Sequence, residues 1–410
     1  MSRPRVLLTL PDVAWPLDGG KRLRCHGVLL GLAEVADVDV AILHSTAPPG
    51  TTPLPPHVQV RRWLRLSPRA RGRVAGAAGS LLRGLPVHVG AQRWDVVRRR
   101  LREWSDGPYD LVWFGGLDHA SALHGTVTGR HVVVDSDDVE TDKWRAYLAA
   151  GSGGRVERLQ RRIELPLWAR IQRQVARRAD AVVVCSDLDV GRFGSGRTRV
   201  VPNTYPEPPP PERAPRPAGT PPRVLVVASW ATGQNLDAAR HAVQDVLPEL
   251  RRLVPDVRLA LVGRGADALG PLVDGVEGVD LVGPVDSVDA ELAAADVVLV
   301  PMRFGGGTRL KVLEAWAHGV PVVSTGLGCE GTGAVDGVHL LVRDDGASLA
   351  AGVAEVLHDP GAARRRAEAG RTLYLEQFTP RAAVRAVRAV VDPLLGTTGT
   401  QPDGGARRTP

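Results

Sequence analysis

A chain of 410 residues with 43% hydrophobic and 24% charged residues is too long for one ordinary core, so two globular domains of roughly 150 to 200 residues each are expected. Its net charge of +7 is uneven: residues 1–200 hold 31 basic against 20 acidic residues, net +11, and the remainder is net −4. With 4% aromatic residues and no nucleic-acid motif, a nucleic-acid partner is excluded, leaving anionic lipid or an acidic small molecule for the basic half.

No apolar run reaches the roughly 18 residues of a membrane span. The opening VLLTL is followed at once by Pro11 and Asp12, so it reads as a strand rather than a leader. Cys25, Cys185 and Cys329 are far apart and lack CxxC spacing, which argues for a reducing cytoplasm and against disulfides or structural zinc.

Arg5 to Leu10 predicts a buried strand, followed by a loop ending in Gly19-Gly20. An amphipathic helix from Arg22 to Ala33 and a strand at Asp37 to Leu43 complete a βαβ opening. It lacks GxGxxG and a correctly spaced acidic residue, so a dinucleotide signal is weak; one reading of the glycine pair is a tight turn requiring positive φ. Residues 44–90 are rich in proline and arginine. They fit a solvated insertion, or a basic segment lying on an anionic bilayer with Trp63, Leu64, Leu66, Leu81 and Leu82 inserted.

A basic helix is predicted from Trp94 to about Trp104, and then a strand at Tyr109 to Phe114 that opens into GGLDHAS, with Asp118 and His119. In α/β sheets such loops carry chemistry; His119 fits equally an inert position at the start of a helix. The strand at His131 ends in a crowd of carboxylates, Asp135, Asp137, Asp138 and Glu140, whose mutual repulsion demands compensation. Acceptor hydroxyls, arginines or a divalent ion could each supply it. Arg155 to Arg178 is helical in pattern, with Pro166 as an interruption and Ile163, Leu167, Ile171 and Val175 on one stripe; core packing is favoured there over lipid binding. Strands at Ala181 to Ser186 and Thr198 to Asn203 close the first series.

The proline-dense stretch 202–222 reads as a stiff tether. A second β/α series begins at Arg223. It leads through VRLALVG, VDLVG and VVLVP to Gly305, Gly306 and Gly307, then Thr308 as a plausible N-cap and a helix carrying Arg309, Leu310, Lys311 and Glu314. Glycines without Cβ allow close backbone approach, and free N–H groups with the positive dipole end of a helix favour an anion such as a diphosphate. Lys311 is one of three lysines, with Lys21 and Lys143. Glu314, nearly two turns on, could accept hydrogen bonds from a ribose. A flexible turn with a solvated glutamate is the plainer alternative.

The run GGGTRLKVLEAWAHGVPVVST, with GCEG after it and HLLVRDD at His339 to Asp345, resembles the donor-site signature of the family 4 retaining glycosyltransferases. That resemblance implies a GT-B fold, two facing Rossmann-like α/β domains across a cleft. It implies that Gly305, Gly306, Gly307, Thr308, Arg309, Leu310, Lys311, Glu314 and Glu330 hold the nucleotide diphosphate and ribose of a sugar donor. It also places Gly19 and Gly20 opposite the donor phosphates and Gly283 and Val285 in LVGPVD at the base, with His119 as a displaced counterpart of the family's sugar-facing histidine; Asp118 beside it and the crowded carboxylates Asp135, Asp138 and Glu140 are the expected acceptor contacts. Two departures stand out. Gly306 occupies a position where many members have glutamate, and SWATGQN at Ser229 to Asn235 lacks the usual arginine and lysine clamp, so Arg309, Lys311 and Arg264 are expected to neutralise the phosphates.

The expected organisation is an acceptor domain at 1–201, a linker at 202–222, a donor domain at 223–378, a C-terminal helix at 379–395 crossing back, and a disordered tail at 396–410. The expected activity is transfer of a sugar from a nucleotide-diphosphate-sugar to a hydroxyl of a glycan, lipid-linked or small-molecule acceptor, with Arg309, Lys311 and His119 catalytic. Retention, independence of metal and the absence of any cofactor beyond the donor co-substrate are what the resemblance implies. The setting is cytoplasmic, with peripheral contact with an anionic membrane as an added expectation. A nucleotide-sugar epimerase and a non-catalytic nucleotide-sugar binder are the rival readings.

Overall fold

The computed structural model describes residues 3–17, 19–43, 53–66, 76, 79–80, 82–149, 151, 154–208, 219–305 and 309–396. Near-continuous Val, Leu and Ile runs suit strands buried on both faces, and they form two wholly parallel sheets. The first contains β1 (Arg5–Leu10), β2 (Asp37–Leu43), β3 (Arg62–Leu66), β4 (Tyr109–Phe114), β5 (Gly129–Asp135), β6 (Ala181–Val184) and β7 (Thr198–Val200). Their spatial order is β3-β2-β1-β4-β5-β6-β7. The second contains β8 (Arg223–Val227), β9 (Arg258–Val262), β10 (Val279–Gly283), β11 (Val297–Val300), β12 (Val322–Ser324) and β13 (Leu341–Val342), in the order β10-β9-β8-β11-β12-β13.

Each order reverses once, between β1 and β4 in the first sheet and between β8 and β11 in the second. At such switch points the loops at the carboxyl ends diverge and leave a crevice. Just past β9 a Cβ on Gly263 would fall 1.8 Å from the carbonyl oxygen of Ala228, which follows β8, and φ at Gly263 is +137°, so only glycine permits the approach.

The final helix, Pro380–Leu395, leaves the second domain and packs on the first helix, Gly20–Val35. A Cβ at Gly31 would lie 2.5 Å from the Val387 Cβ, and one at Gly27 would lie 3.1 Å from the Ala383 Cβ. Glycine spacing on the first helix therefore sets how closely the crossing helix approaches.

Several sequence expectations need correction. Within the segment 44–90, Arg62–Leu66 forms the edge strand β3 rather than a solvated insertion, while Trp63 and Leu82 are 48% and 88% exposed. Leu66 packs against the core. Arg61 is held by Asp39 at 2.7 Å and by Asp106 at 2.8 Å, and Arg62 reaches the same two carboxylates; Leu81 lies outside the described residues. Arg155–Arg178 runs unbroken through Pro166, and its buried stripe is Glu164, Trp168, Ile171, Gln172 and Val175, with Ile163 left 45% exposed. The helix expected from Thr308 is observed from Leu310 to Ala317. Gly306, Gly307, Thr308 and the tail 397–410 lie outside the described residues.

Candidate functional site

The loop after β8 and the helix after β11 flank the switch point of the second sheet, and there Lys311 donates from Nζ to Asn235 Oδ1 at 2.9 Å. Asn235 is itself fixed, its Nδ2 donating to the Ser229 carbonyl at 2.7 Å. Met302 Sδ, 3.8 Å away, is the other neighbour of the ammonium. No carboxylate comes within ion-pair distance of Lys311 among the described residues. Burial, and then the charge of Arg309, push the Lys311 pKa down to about 8. One turn on, burial pushes the Glu314 carboxyl up to about 7, against the pull of Lys311.

Arg309, expected to neutralise the phosphates, is buried. It is 4% exposed, and its guanidinium donates to the Leu327 carbonyl at 2.9 Å and to the Gly305 carbonyl at 3.2 Å. It thus ties the glycine loop to the loop after β12, and burial lowers its pKa despite the nearby carboxylate of Glu330. Glu330 is likewise engaged, since Arg192, on the helix Asp187–Phe193 of the first domain, donates to it at 2.5 Å. This pair spans the two domains. Gly331 continues the contact, a Cβ there lying 3.3 Å from the Ser186 Cβ.

The two domains also meet at the glycine pair. A Cβ on Gly20 would stand 2.7 Å from Leu310 Cδ1, so the start of the first helix abuts the start of the helix Leu310–Ala317. The positive-φ reading of this pair is wrong, because Gly19 has φ −173° and ψ 152°, an extended conformation open to any residue. Gly20 is needed for proximity. Of the other expected donor residues, Gly283 has φ +80° and its carbonyl accepts from Gly263 N–H at 2.8 Å. Val285 packs against the core of the second domain. Arg264 is exposed, with its carbonyl taken by Trp230 N–H at 2.8 Å.

In the first domain a cavity of about 190 Å³ opens at the carboxyl ends of β1, β4 and β5. Asp118, Asp135, Asp137, Asp138 and Glu140 all line it, together with Lys143, so the acidic crowd is brought together as the pattern suggested. Its charge is largely compensated internally. Asp135 takes a bidentate pair from Arg24 at 3.0 and 2.7 Å; burial opposes the guanidinium charge, yet this carboxylate raises the Arg24 pKa. Asp137 accepts from Cys185 Sγ and Asn203 Nδ2, each at 3.0 Å. Lys143 Nζ bridges Asp138 and Glu140, both at 2.9 Å. Burial works against its charge, but the two carboxylates overcome this and move its pKa up.

His119 does not join this cavity. It is fully buried, with Nδ1 3.0 Å from Thr9 Oγ1 and its ring against Trp94. Arg24, Lys143, Asn235 and Arg192 were not singled out from the sequence as site residues. Lys143 had a compositional signal as one of three lysines, and Asn235 lies in the first turn of the helix Gly233–His241, at the end of the SWATGQN stretch that lacks the expected cations.

Residues 221–359 match the family model described as Glycosyl transferases group 1. Glycogen synthase of Mycobacterium tuberculosis is 28% identical over 285 residues, 65% of this chain and 61% of its own length. The GDP-mannose-dependent alpha-(1-6)-phosphatidylinositol monomannoside mannosyltransferase of Mycolicibacterium smegmatis is 35% identical over 151 residues, 32% of this chain and 38% of that protein. Among solved structures, sucrose-phosphate synthase from Thermosynechococcus elongatus superposes with a TM-score of 0.68 at 16% identity, covering 97% of this chain and all of the other. The chain spans about three fifths of the length of the curated glycogen synthase it matches. Two facing parallel-sheet domains and the matched stretch lead to one conclusion: the chain has the GT-B fold, and residues 221–359 of its second domain are similar to the glycosyl transferases group 1 family.

Proposed function

We propose that the protein transfers a sugar from a nucleotide-diphosphate-sugar to an acceptor hydroxyl, with retention of anomeric configuration and without a metal ion. The observation that carries this reading is Lys311, a largely buried ammonium held by an amide and a thioether with no carboxylate in ion-pair distance among the described residues. A buried cation in that setting is costly unless an anion arrives. The diphosphate of a donor supplies one, and the charge that develops on the leaving diphosphate is what a preorganised cation stabilises best.

In this reading Lys311 neutralises the diphosphate, and Arg309, clamped to the Leu327 and Gly305 carbonyls, positions the glycine loop for its amides to face the phosphates. Glu314 accepts from the ribose, and the contact of Gly20 with Leu310 closes the cleft against water. The acceptor occupies the cavity at β1, β4 and β5, where Asp118 and the Lys143-bridged pair of Asp138 and Glu140 offer polar contacts to hydroxyls. With Lys311 neutralising the leaving group, the reaction has no evident need for a divalent ion. The family match and the GDP-mannose-dependent relative are in keeping with a nucleotide-sugar donor.

A thermal-shift screen of nucleoside diphosphates and their sugar conjugates tests the donor assignment, since a ligand at 100 times its Kd stabilises by about 2.7 kcal/mol. Proton NMR of the product anomer, with and without chelator, then tests retention and metal independence. An epimerised donor in the absence of acceptor, or binding without transfer to any acceptor, would favour the rival readings.

A further inference from the structure

We infer that the solvent face of the helix Arg155–Arg178 docks the protein on the surface of an anionic lipid bilayer. This 24-residue helix is about 36 Å long, and its outer face has an unusual composition. Val156, Leu159 and Ile163 are 82%, 58% and 45% exposed. They fall at i, i+3 and i+7, so they form one stripe rather than scattered surface positions.

Arg155, Arg162, Arg170, Arg173 and Arg177 are exposed on the same side, and among the described residues none of the five is ion-paired. The acidic residues of the helix lie elsewhere, Glu164 buried and bonded to Arg161 and to Val87 N–H, and Glu157 beside Arg161. The basic residues of β3 are by contrast neutralised by Asp39 and Asp106. Five arginines without an ion pair among the described residues thus share one face of this helix with exposed aliphatic side chains.

Exposed aliphatic side chains flanked by arginines match the boundary between lipid headgroups and acyl chains, where the stripe inserts and the guanidinium groups meet phosphates. A second copy of this chain is disfavoured as the occupant, because a two-fold contact would oppose five arginines with five arginines. A nucleic acid would leave the aliphatic stripe without a partner, and the face carries no aromatic platform for bases. The opposite side of the helix presents Trp168 to the cavity in the first domain. If that cavity holds the acceptor, as proposed above, one helix joins the docking surface to the acceptor site.

Sedimentation of the full chain with vesicles of phosphatidylcholine alone, or with 30% phosphatidylglycerol (about a third anionic lipid), tests the inference. Binding is expected only with the anionic vesicles and is expected to weaken with salt. Arg155→Gln/Arg162→Gln/Arg173→Gln should reduce it by about 100-fold, at roughly fivefold per arginine near an anionic surface. Leu159→Ser/Ile163→Ser should reduce it about tenfold. These positions are exposed, so both variants should melt like the parent. Arg364→Gln/Arg365→Gln, on the second domain, should bind vesicles as the parent does. Absence of binding to anionic vesicles at low salt, binding undiminished in both face variants, or retention on RNA lost in parallel with vesicle binding would each overturn the inference. Because the assay needs no donor or acceptor, its outcome is independent of the glycosyltransferase reading.

Discussion

Replacing Lys311 with methionine keeps the length and apolar stem of the side chain and removes only its charge. In the folded protein burial and Arg309 lower its pKa from 10.5 to about 8. A lysine pKa depressed on folding makes the protonated state unfavourable, so stability is complete above the unfolded value near 10.5, falls as the pH drops toward 8, and stays reduced below that. The drop corresponds to roughly 3 kcal/mol, and about 2 kcal/mol after allowance for the partial exposure of the side chain. Lys311→Met should therefore be more stable than the parent by about 2 kcal/mol at pH 7, and the gap should close near pH 10.5. Nucleoside diphosphate binding should move the other way, weakening by roughly 10- to 100-fold for a lost charge-assisted hydrogen bond. Urea denaturation at the two pH values, paired with calorimetric titration, reads both. A variant that is less stable and still binds would refute the reasoning, since Lys311 would then be a structural cation.

Donor affinity should be greatest between about pH 7 and 8, because Glu314 must lose its proton near 7 and Lys311 must keep its own up to about 8; a flat titration curve from pH 6 to 9 would contradict this. Gly20→Val would bring a side chain into Leu310 and should raise the donor KM about fivefold through a strained closure while leaving the melting temperature near that of the parent. Asp135→Asn removes one partner of the buried pair with Arg24 and should cost roughly 3 to 5 kcal/mol, read by urea denaturation; a cost below 1 kcal/mol would show that the pair is solvated.

The strands and their order of appearance were legible because doubly buried parallel strands are written as continuous β-branched runs, VVLV and AVVV among them. The candidate anion site could be proposed from sequence because its features lie within ten residues of one another, from Gly305 to Glu314. Pairings across long separations leave no local mark. Nothing near Glu330 announces that Arg192, 138 residues earlier, will occupy it, and nothing near Asp135 announces Arg24. The position of His119, away from the cavity, was hidden for a different reason. The short helix Leu117–Leu123 buries most of its length, so it offered no polar face against which a buried histidine would stand out. The misplaced stripe on Arg155–Arg178 arose from counting aliphatic residues, whereas Glu164 and Gln172 are buried by hydrogen bonding and the aliphatic Ile163 is not.

The most direct test of the donor site is a crystal structure of the protein soaked with a nucleoside diphosphate. A phosphate oxygen is expected within about 3 Å of Lys311 Nζ, in the crevice between the loop after β8 and the helix Leu310–Ala317. A diphosphate bound anywhere else, with Lys311 still donating to Asn235 alone, would contradict it.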